Sequence, residues 1–198
     1  MKRLFLTSLC LLNIFISALA YAEKADAGKA TDIAADQMTY DDVKQINTFT
    51  GNVVLTRGSL LMKAARVVVT QDRSGYQSAT MYAAPGMLAT FRQKRDGGPD
   101  LWVEGQAERI EYDGRAELVK LFSKAKLRRL EDTRATDEVE GDFISYDTRA
   151  EFISVNNNVP GAKPGTGRIK AVIQPRVEAK PEAKSEAKPE AKPEPKAP

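Results

Sequence analysis

Between Asp32 and Gln174 the chain keeps returning to one pattern. Short runs rich in Val, Ile, Thr, Phe and Tyr alternate apolar with polar residues, then break at glycine, at a Gly-Asn pair or at clustered aspartates. Period-two alternation puts successive side chains on opposite faces of a strand, and no convincing helical periodicity competes with it. The pattern predicts strands over Asp32–Tyr40, Ile46–Phe49, Asn52–Thr56, Leu60–Lys63, Ala65–Gln71, Ser78–Tyr82, Met87–Gln93 and Leu101–Val103. Further strands are predicted over Ala107–Tyr112, Ala116–Phe122, Lys124–Leu130, Asp137–Glu140, Asp142–Tyr146, Glu151–Val155 and Arg168–Gln174. Many short strands with short connections imply an all-β fold whose neighbours pair antiparallel.

The strands repeat as a unit. A shift of 72 positions carries Tyr40-Asp41 onto Tyr112-Asp113 and Ala35-Asp36 onto Ala107-Glu108. The same shift carries Gly51-Asn52-Val53-Val54-Leu55-Thr56-Arg57 onto Ser123-Lys124-Ala125-Lys126-Leu127-Arg128-Arg129, a degraded copy without the Gly-Asn pair. Ala35-Asp36, Ala65-Arg66, Ala107-Glu108 and Gly141-Asp142 each set a small residue and a charged one before a strand. Recurrence at this scale in an all-β chain implies sheets that stack in one direction and leave a strand edge at each end.

Both ends of the chain read differently. Lys2 and Arg3, the apolar run Leu4 to Leu19 and the small-x-small triplet Ala20-Tyr21-Ala22 form an export signal over residues 1–22, cut after Ala22 or, alternatively, Ala20. The run is shorter than the roughly 20 apolar residues of a membrane span. Cys10, the one cysteine, lies inside it, so the body over 23–176 is expected to hold together without disulfides. From Val177 to Pro198 the chain repeats Glu-Ala-Lys-Pro; frequent prolines break helix and almost nothing is apolar, so a disordered spacer is expected.

The remaining chemistry excludes more than it offers. Loss of Lys2 and Arg3 brings the 30 basic residues close to the 27 acidic ones, which argues against a nucleic-acid binder. Asp36, Glu108, Glu111, Asp113, Asp142 and Asp147 supply carboxylates, yet they recur as strand-end residues and no histidine or serine-elbow motif accompanies them. No enzyme, cofactor or metal site is expected. The basic residues of Lys124 to Arg129 read as one solvated strand face.

The stretches Phe49 to Gly58 (FTGNVVLTRG), AARVVVTQD, ATFRQK and VEGQAERIEYD, with LFSKAKLRR, VEGDFISYD and Gly167 to Pro175 (GRIKAVIQP), resemble the OstA-like family of lipopolysaccharide transport proteins. The likeness runs in one order from Asp32 to Pro175. Two departures stand out: Ser123-Lys124 in place of a second Gly-Asn pair, which implies a different turn there, and the Glu-Ala-Lys-Pro tail. The resemblance implies a twisted β-jellyroll of two antiparallel sheets with open terminal edges, working in the Gram-negative periplasm. It also implies an apolar groove for the acyl chains of lipid A, lined by Ile33, Val53, Leu55, Val67, Val69, Phe91 and Tyr112. Thr31 and Ile33 would form an edge facing an inner-membrane, LptC-like component. Ile169, Ala171 and Ile173 would form an edge facing an outer-membrane, LptD-like translocon or a second copy in a head-to-tail homo-oligomer. A structural β protein that bridges partners, with a different lipid or none, is the alternative reading.

Overall fold

β-Branched and aromatic residues favour the pleated, half-buried surface of a sheet, and nearly every stretch rich in them is a strand. The computed structural model describes residues 26, 28–98, 100–161, 163 and 167–175; the predicted leader 1–22 and tail 177–198 lie outside them. The strands are β1 (Asp32–Ala34), β2 (Gln37–Asp41), β3 (Ile46–Arg57), β4 (Leu60–Gln71), β5 (Gln77–Tyr82) and β6 (Ala89–Lys94). They continue with β7 (Leu101–Ala107), β8 (Arg109–Asp113), β9 (Leu118–Glu131), β10 (Arg134–Asp147), β11 (Phe152–Asn156) and β12 (Lys170–Ile173). Every pairing between them is antiparallel.

Four strands are longer than the alternation predicts, and this makes the architecture. β3, β4, β9 and β10 each join two predicted segments. Their first and second halves pair with different partners. β3 pairs β2 through Ile46–Thr50 but β1 through Val54–Thr56. β9 pairs β8 through Leu118–Phe122 but β7 through Lys126–Glu131. β10 pairs β11 through Phe143–Asp147 but β12 through Asp137–Glu140. The chain therefore builds two layers from one folded sheet. The first layer runs β2, β3, β4, β5, β8, β9, β10, β11 and the second β1, β3, β4, β6, β7, β9, β10, β12. Residues of both layers share one hydrophobic core.

The fold line is where the small-plus-charged pairs lie. The chain crosses it at Ala35-Asp36, Gly51-Asn52, Ala65-Arg66, between β5 and β6, at Ala107-Glu108, Ser123-Lys124, Gly141-Asp142 and between β11 and β12. At Gly51-Asn52 two residues oppose Ala65, and at Ser123-Lys124 two oppose Asp142, the arrangement of a β-bulge. The turn at Ser123-Lys124 is not different, as the loss of Gly-Asn implied. Ser123 and Lys124 have φ of 64° and 53°, the same left-handed region as Gly51 at 81° and Asn52 at 45°. Neighbouring groups hold this less favourable pair: Ser123 Oγ accepts from the Lys163 N–H at 2.7 Å, and Lys124 Nζ meets Glu108 Oε1 at 3.0 Å. Backbone bonds cross the line as well, from Asp36 N–H to Gly51 O and from Glu108 N–H to Ser123 O, both 3.0 Å.

Candidate lipid-binding interior

Cross-strand partners in a sheet share a face, so the register can be followed across each layer. In the second layer one file runs Ile33, Leu55, Met62, Phe91, Gly105, Leu127, Val139, Ala171, each residue paired with the next. It reaches from the N-terminal edge strand to the C-terminal one without a polar side chain. The first layer has its counterpart: Met38, Phe49, Val67, Met81, Ile110, Leu121, Ile144, Val155. A second file beside it runs Tyr40, Asn47, Val69, Ala79, Tyr112, Val119, Tyr146, Ile153. The facing files meet across the core: a Cβ at Gly105 would lie 2.1 Å from Phe91 Cε1 and 2.9 Å from Leu121 Cδ2. Gly105 thus makes room for the Phe91 ring and the opposite layer.

The files are packed in the middle and uncovered at the ends. Met62, Met81, Phe91, Ile110, Leu121 and Leu127 are buried. Met38, at the N-terminal end, is 57% exposed, and Ile173, inward-facing at the C-terminal end, is 78% exposed. No strand covers these ends among the described residues, so each layer presents an unpaired edge on both sides.

Near the corner, inward positions are small: Ala89 pairs Ala107 and Ala125 pairs Gly141. At the opposite margin, the mouth, the strands end in hairpins and the layers meet through side chains. Arg57 donates to the Tyr112 hydroxyl at 2.7 Å, with its guanidinium 5.2 Å from the ring centroid. Arg95 pairs with the Glu151 carboxylate, and Arg129 donates to the Glu151 carbonyl at 2.5 Å. Beside Tyr112 an apolar cleft lined by Thr31, Leu55, Leu60, Met62, Val69 and Ala79 holds about 20 Å³.

The outward face of the second layer is a charge ladder. Arg92 and Arg128 flank Glu104 at 3.0 and 2.9 Å, and Lys126 lies 2.6 Å from Glu138 and 3.1 Å from Glu140. The hydrogen bond to Glu138, then the one to Glu140, raises the Lys126 pKa against its partial desolvation. At the corner, the hydrogen bonds from Lys163 and then Lys124 hold the Glu108 carboxyl below its usual range.

These features match a known design. A family model described as LptA/(LptD N-terminal domain) LPS transport protein matches residues 32–152. The chain belongs to that family. Lipopolysaccharide transport is the role that membership carries. The lipopolysaccharide export system protein LptA of Haemophilus influenzae is 32% identical over 174 residues, 88% of this chain and 91% of that protein. LptA of Escherichia coli K12 is 33% identical over 127 residues, 64% of each chain. The crystal structure of LptH, described as the LptA-homologous periplasmic component of the lipopolysaccharide transport device of Pseudomonas aeruginosa, superposes with a TM-score of 0.67. It is 25% identical and covers 76% of this chain and 99% of its own. The twisted two-layer jellyroll expected from the resemblance is the fold observed.

Within this family's fold the groove residues singled out from sequence all face inward, but at different depths. Val53, Leu55, Val67, Val69 and Phe91 are buried in the packed middle, Tyr112 is half-buried at the mouth, and Ile33 is half-buried on the N-terminal edge. Thr31 precedes β1 and borders the cleft. Ala171 and Ile173 lie on β12 opposite Val139 and Asp137, and Ile169 is exposed just before it. Alternation did not single out Met38, Met62, Met81, Leu121, Leu127, Ile144 and Tyr146, because membership of a file depends on register across strands. It also misassigned one cation. Lys124, Lys126 and Arg128 do not share a face with Arg129: Arg129 follows Leu127 inward, while its basic neighbours are held by carboxylates outside.

Proposed function

We propose that the protein is a periplasmic lipopolysaccharide carrier that shelters lipid A acyl chains between its two layers and hands them from edge to edge. The observation that carries this reading is the pair of facing apolar files that run unbroken from one open edge to the other. Each methylene kept from water is worth about 0.8 kcal/mol, so a continuous track needs no reaction to hold its cargo. Since the cleft at the mouth accommodates little more than one water, acyl chains enter by parting the layers at the mouth.

Continuity between molecules follows from the edges. An exposed strand adds to a neighbour's sheet through backbone hydrogen bonds, and this would extend both files into the next jellyroll. The edge formed by β1 and β2, with Thr31 and Ile33, is proposed to meet the inner-membrane, LptC-like component. The edge formed by β11 and β12, with Ile169, Ala171 and Ile173, is proposed to meet the LptD-like translocon or another copy. The predicted export signal and the Glu/Ala/Lys/Pro spacer fit a protein that works in that compartment.

Photo-crosslinking residues at Ile33 and Tyr112, compared with the outward-facing Thr80 and Glu111, test the cargo. Adducts with lipopolysaccharide are expected at the inward pair alone; equal labelling of both pairs overturns the reading. The packed middle favours one competitor, a structural β protein that bridges partners without carrying lipid. Lipopolysaccharide that fails to co-purify with the protein, by mass spectrometry, would decide for it.

A further inference from the structure

Three inward files of the second layer make the same chemical progression from corner to mouth. β3 reads Val53, Leu55, Arg57; β9 reads Ala125, Leu127, Arg129; and Ala89, Phe91 and Gln93 of β6 lead to Arg95 just beyond it. The interior passes from small to large apolar residues and ends in arginine. The three arginines come from strands far apart in the chain, yet the register brings them to one margin.

Their partners differ from those of the outward cations. Outside, Arg92, Lys126 and Arg128 each contact a carboxylate. At the mouth, Arg57 has the neutral Tyr112 hydroxyl, Arg129 has a backbone carbonyl, and Arg95 alone holds a carboxylate, that of Glu151. The Nε of each of the three is buried without a hydrogen-bond partner among the described residues. Two other acids lie near. Asp26 accepts from Ser59 N–H at 2.8 Å and from Gln93 at 3.4 Å, and Asp137 sits across from Arg129 in register. Guanidinium groups this short of anionic acceptors carry hydrogen-bonding capacity that the described residues leave unused. A planar guanidinium fork fits phosphate oxygens in bidentate geometry, and such charge-assisted bonds are roughly twice as strong as neutral ones.

We infer that Arg57, Arg95 and Arg129 form a cationic rim that takes the phosphate groups of the lipid headgroup as acyl chains enter between the layers. The inference rests on the carrier reading above and adds to it a basis for selection. Phosphorylated multi-acyl lipids exchange neutral acceptors and one carboxylate at the rim for phosphate, whereas a neutral lipid of the same chains strands the arginines behind its headgroup.

The test uses the full chain and two probes: bisphosphorylated lipid A and the same lipid A with both phosphates removed. The wild-type protein is expected to bind the phosphorylated probe at least tenfold more tightly. Combined replacement Arg57→Gln, Arg95→Gln and Arg129→Gln should erase this preference, so that the variant binds the two probes equally. The outward pair Arg92→Gln and Arg128→Gln should preserve the preference, and each inward single variant should lower it even where the triple variant folds poorly. Equal wild-type affinity for the two probes overturns the rim alone, as does a triple variant that keeps the preference. Failure of the wild type to bind either probe overturns the carrier reading instead. Inorganic phosphate should not compete at concentrations that saturate neither probe; tight binding of phosphate by itself would show an anion site unrelated to lipid and overturn the proposal.

Discussion

The two long margins of the jellyroll are held in different ways. At the corner the backbone itself joins the layers, crossing eight times between the described strands through bulges, short links and loops, and small side chains let the sheets approach. At the mouth no strand crosses among the described residues, and the layers meet through Arg57, Arg95 and Arg129 on one side and Tyr112 and Glu151 on the other. Backbone continuity is a covalent constraint, whereas a net hydrogen bond contributes only about 1 kcal/mol. The sandwich is therefore hinged at the corner, which keeps the register of both apolar files, and the proposed carrier would open at the mouth.

The strongest way to break this contrast is to crowd the corner. Ala107 is fully buried where the layers converge, so Ala107→Leu should destabilise by about 3 kcal/mol, the upper part of the usual overpacking range. Chemical denaturation measures it; an unchanged midpoint would mean that the corner is not tightly closed. At the mouth, Tyr112→Phe removes the acceptor of Arg57 and should cost about 1.5 kcal/mol. The same variant should increase binding of an environment-sensitive dye, because the layers part more readily. A smaller effect of opposite sign is expected from Lys124→Asn. Asparagine tolerates the left-handed region better than lysine, and the exposed pairing of Lys124 with Glu108 contributes little. A gain of about 0.5 kcal/mol is expected in thermal or denaturant unfolding.

The smallest expected effect is local and depends on pH. The folded-state pKa of Glu108 lies below its unfolded value, chiefly through the Lys163 hydrogen bond and then through Lys124. Its contribution is complete above the ordinary carboxylate range and is lost as pH falls through the depressed value. Acidification should therefore lower the amide protection factor (exchange relative to the unprotected rate at the same pH) at Lys163, whose N–H donates to Ser123 Oγ, before it affects the mouth. Lys163→Ala should abolish that acid-dependent step.

Much of this organisation was legible in the residues, though not the part that depends on register. Alternation predicted strands over Ile46–Phe49, Asn52–Thr56 and Ala107–Tyr112, and β3 and β8 lie there, with Phe49, Val53, Leu55 and Ile110 turned inward. It read Gly51-Asn52 and Ser123-Lys124 as strand breaks because local sequence cannot distinguish a terminus from a bulge. In both places the chain bends and pairing resumes with new partners. The recurring small-plus-charged pairs were visible as a rhythm, but their meaning as the fold line appears once the halves of β3, β9 and β10 are seen in different layers. Arg129 shows the same limit: beside Arg128 it reads as part of a basic surface, whereas its register opposite Val103, two residues after Leu127, turns it inward.

The central claim, that lipid enters by parting the mouth while the corner holds, can be measured as two distances. In a Cys10→Ser background, spin labels at Thr133→Cys and Ala150→Cys flank the mouth, and labels at Pro85→Cys and Asn158→Cys flank the corner. On addition of lipid A the mouth distance should lengthen by several ångströms, on the order of the width of an acyl chain between packed layers, and the corner distance should stay fixed. Bound lipid with an unchanged mouth distance, or with the corner widening instead, would contradict the account.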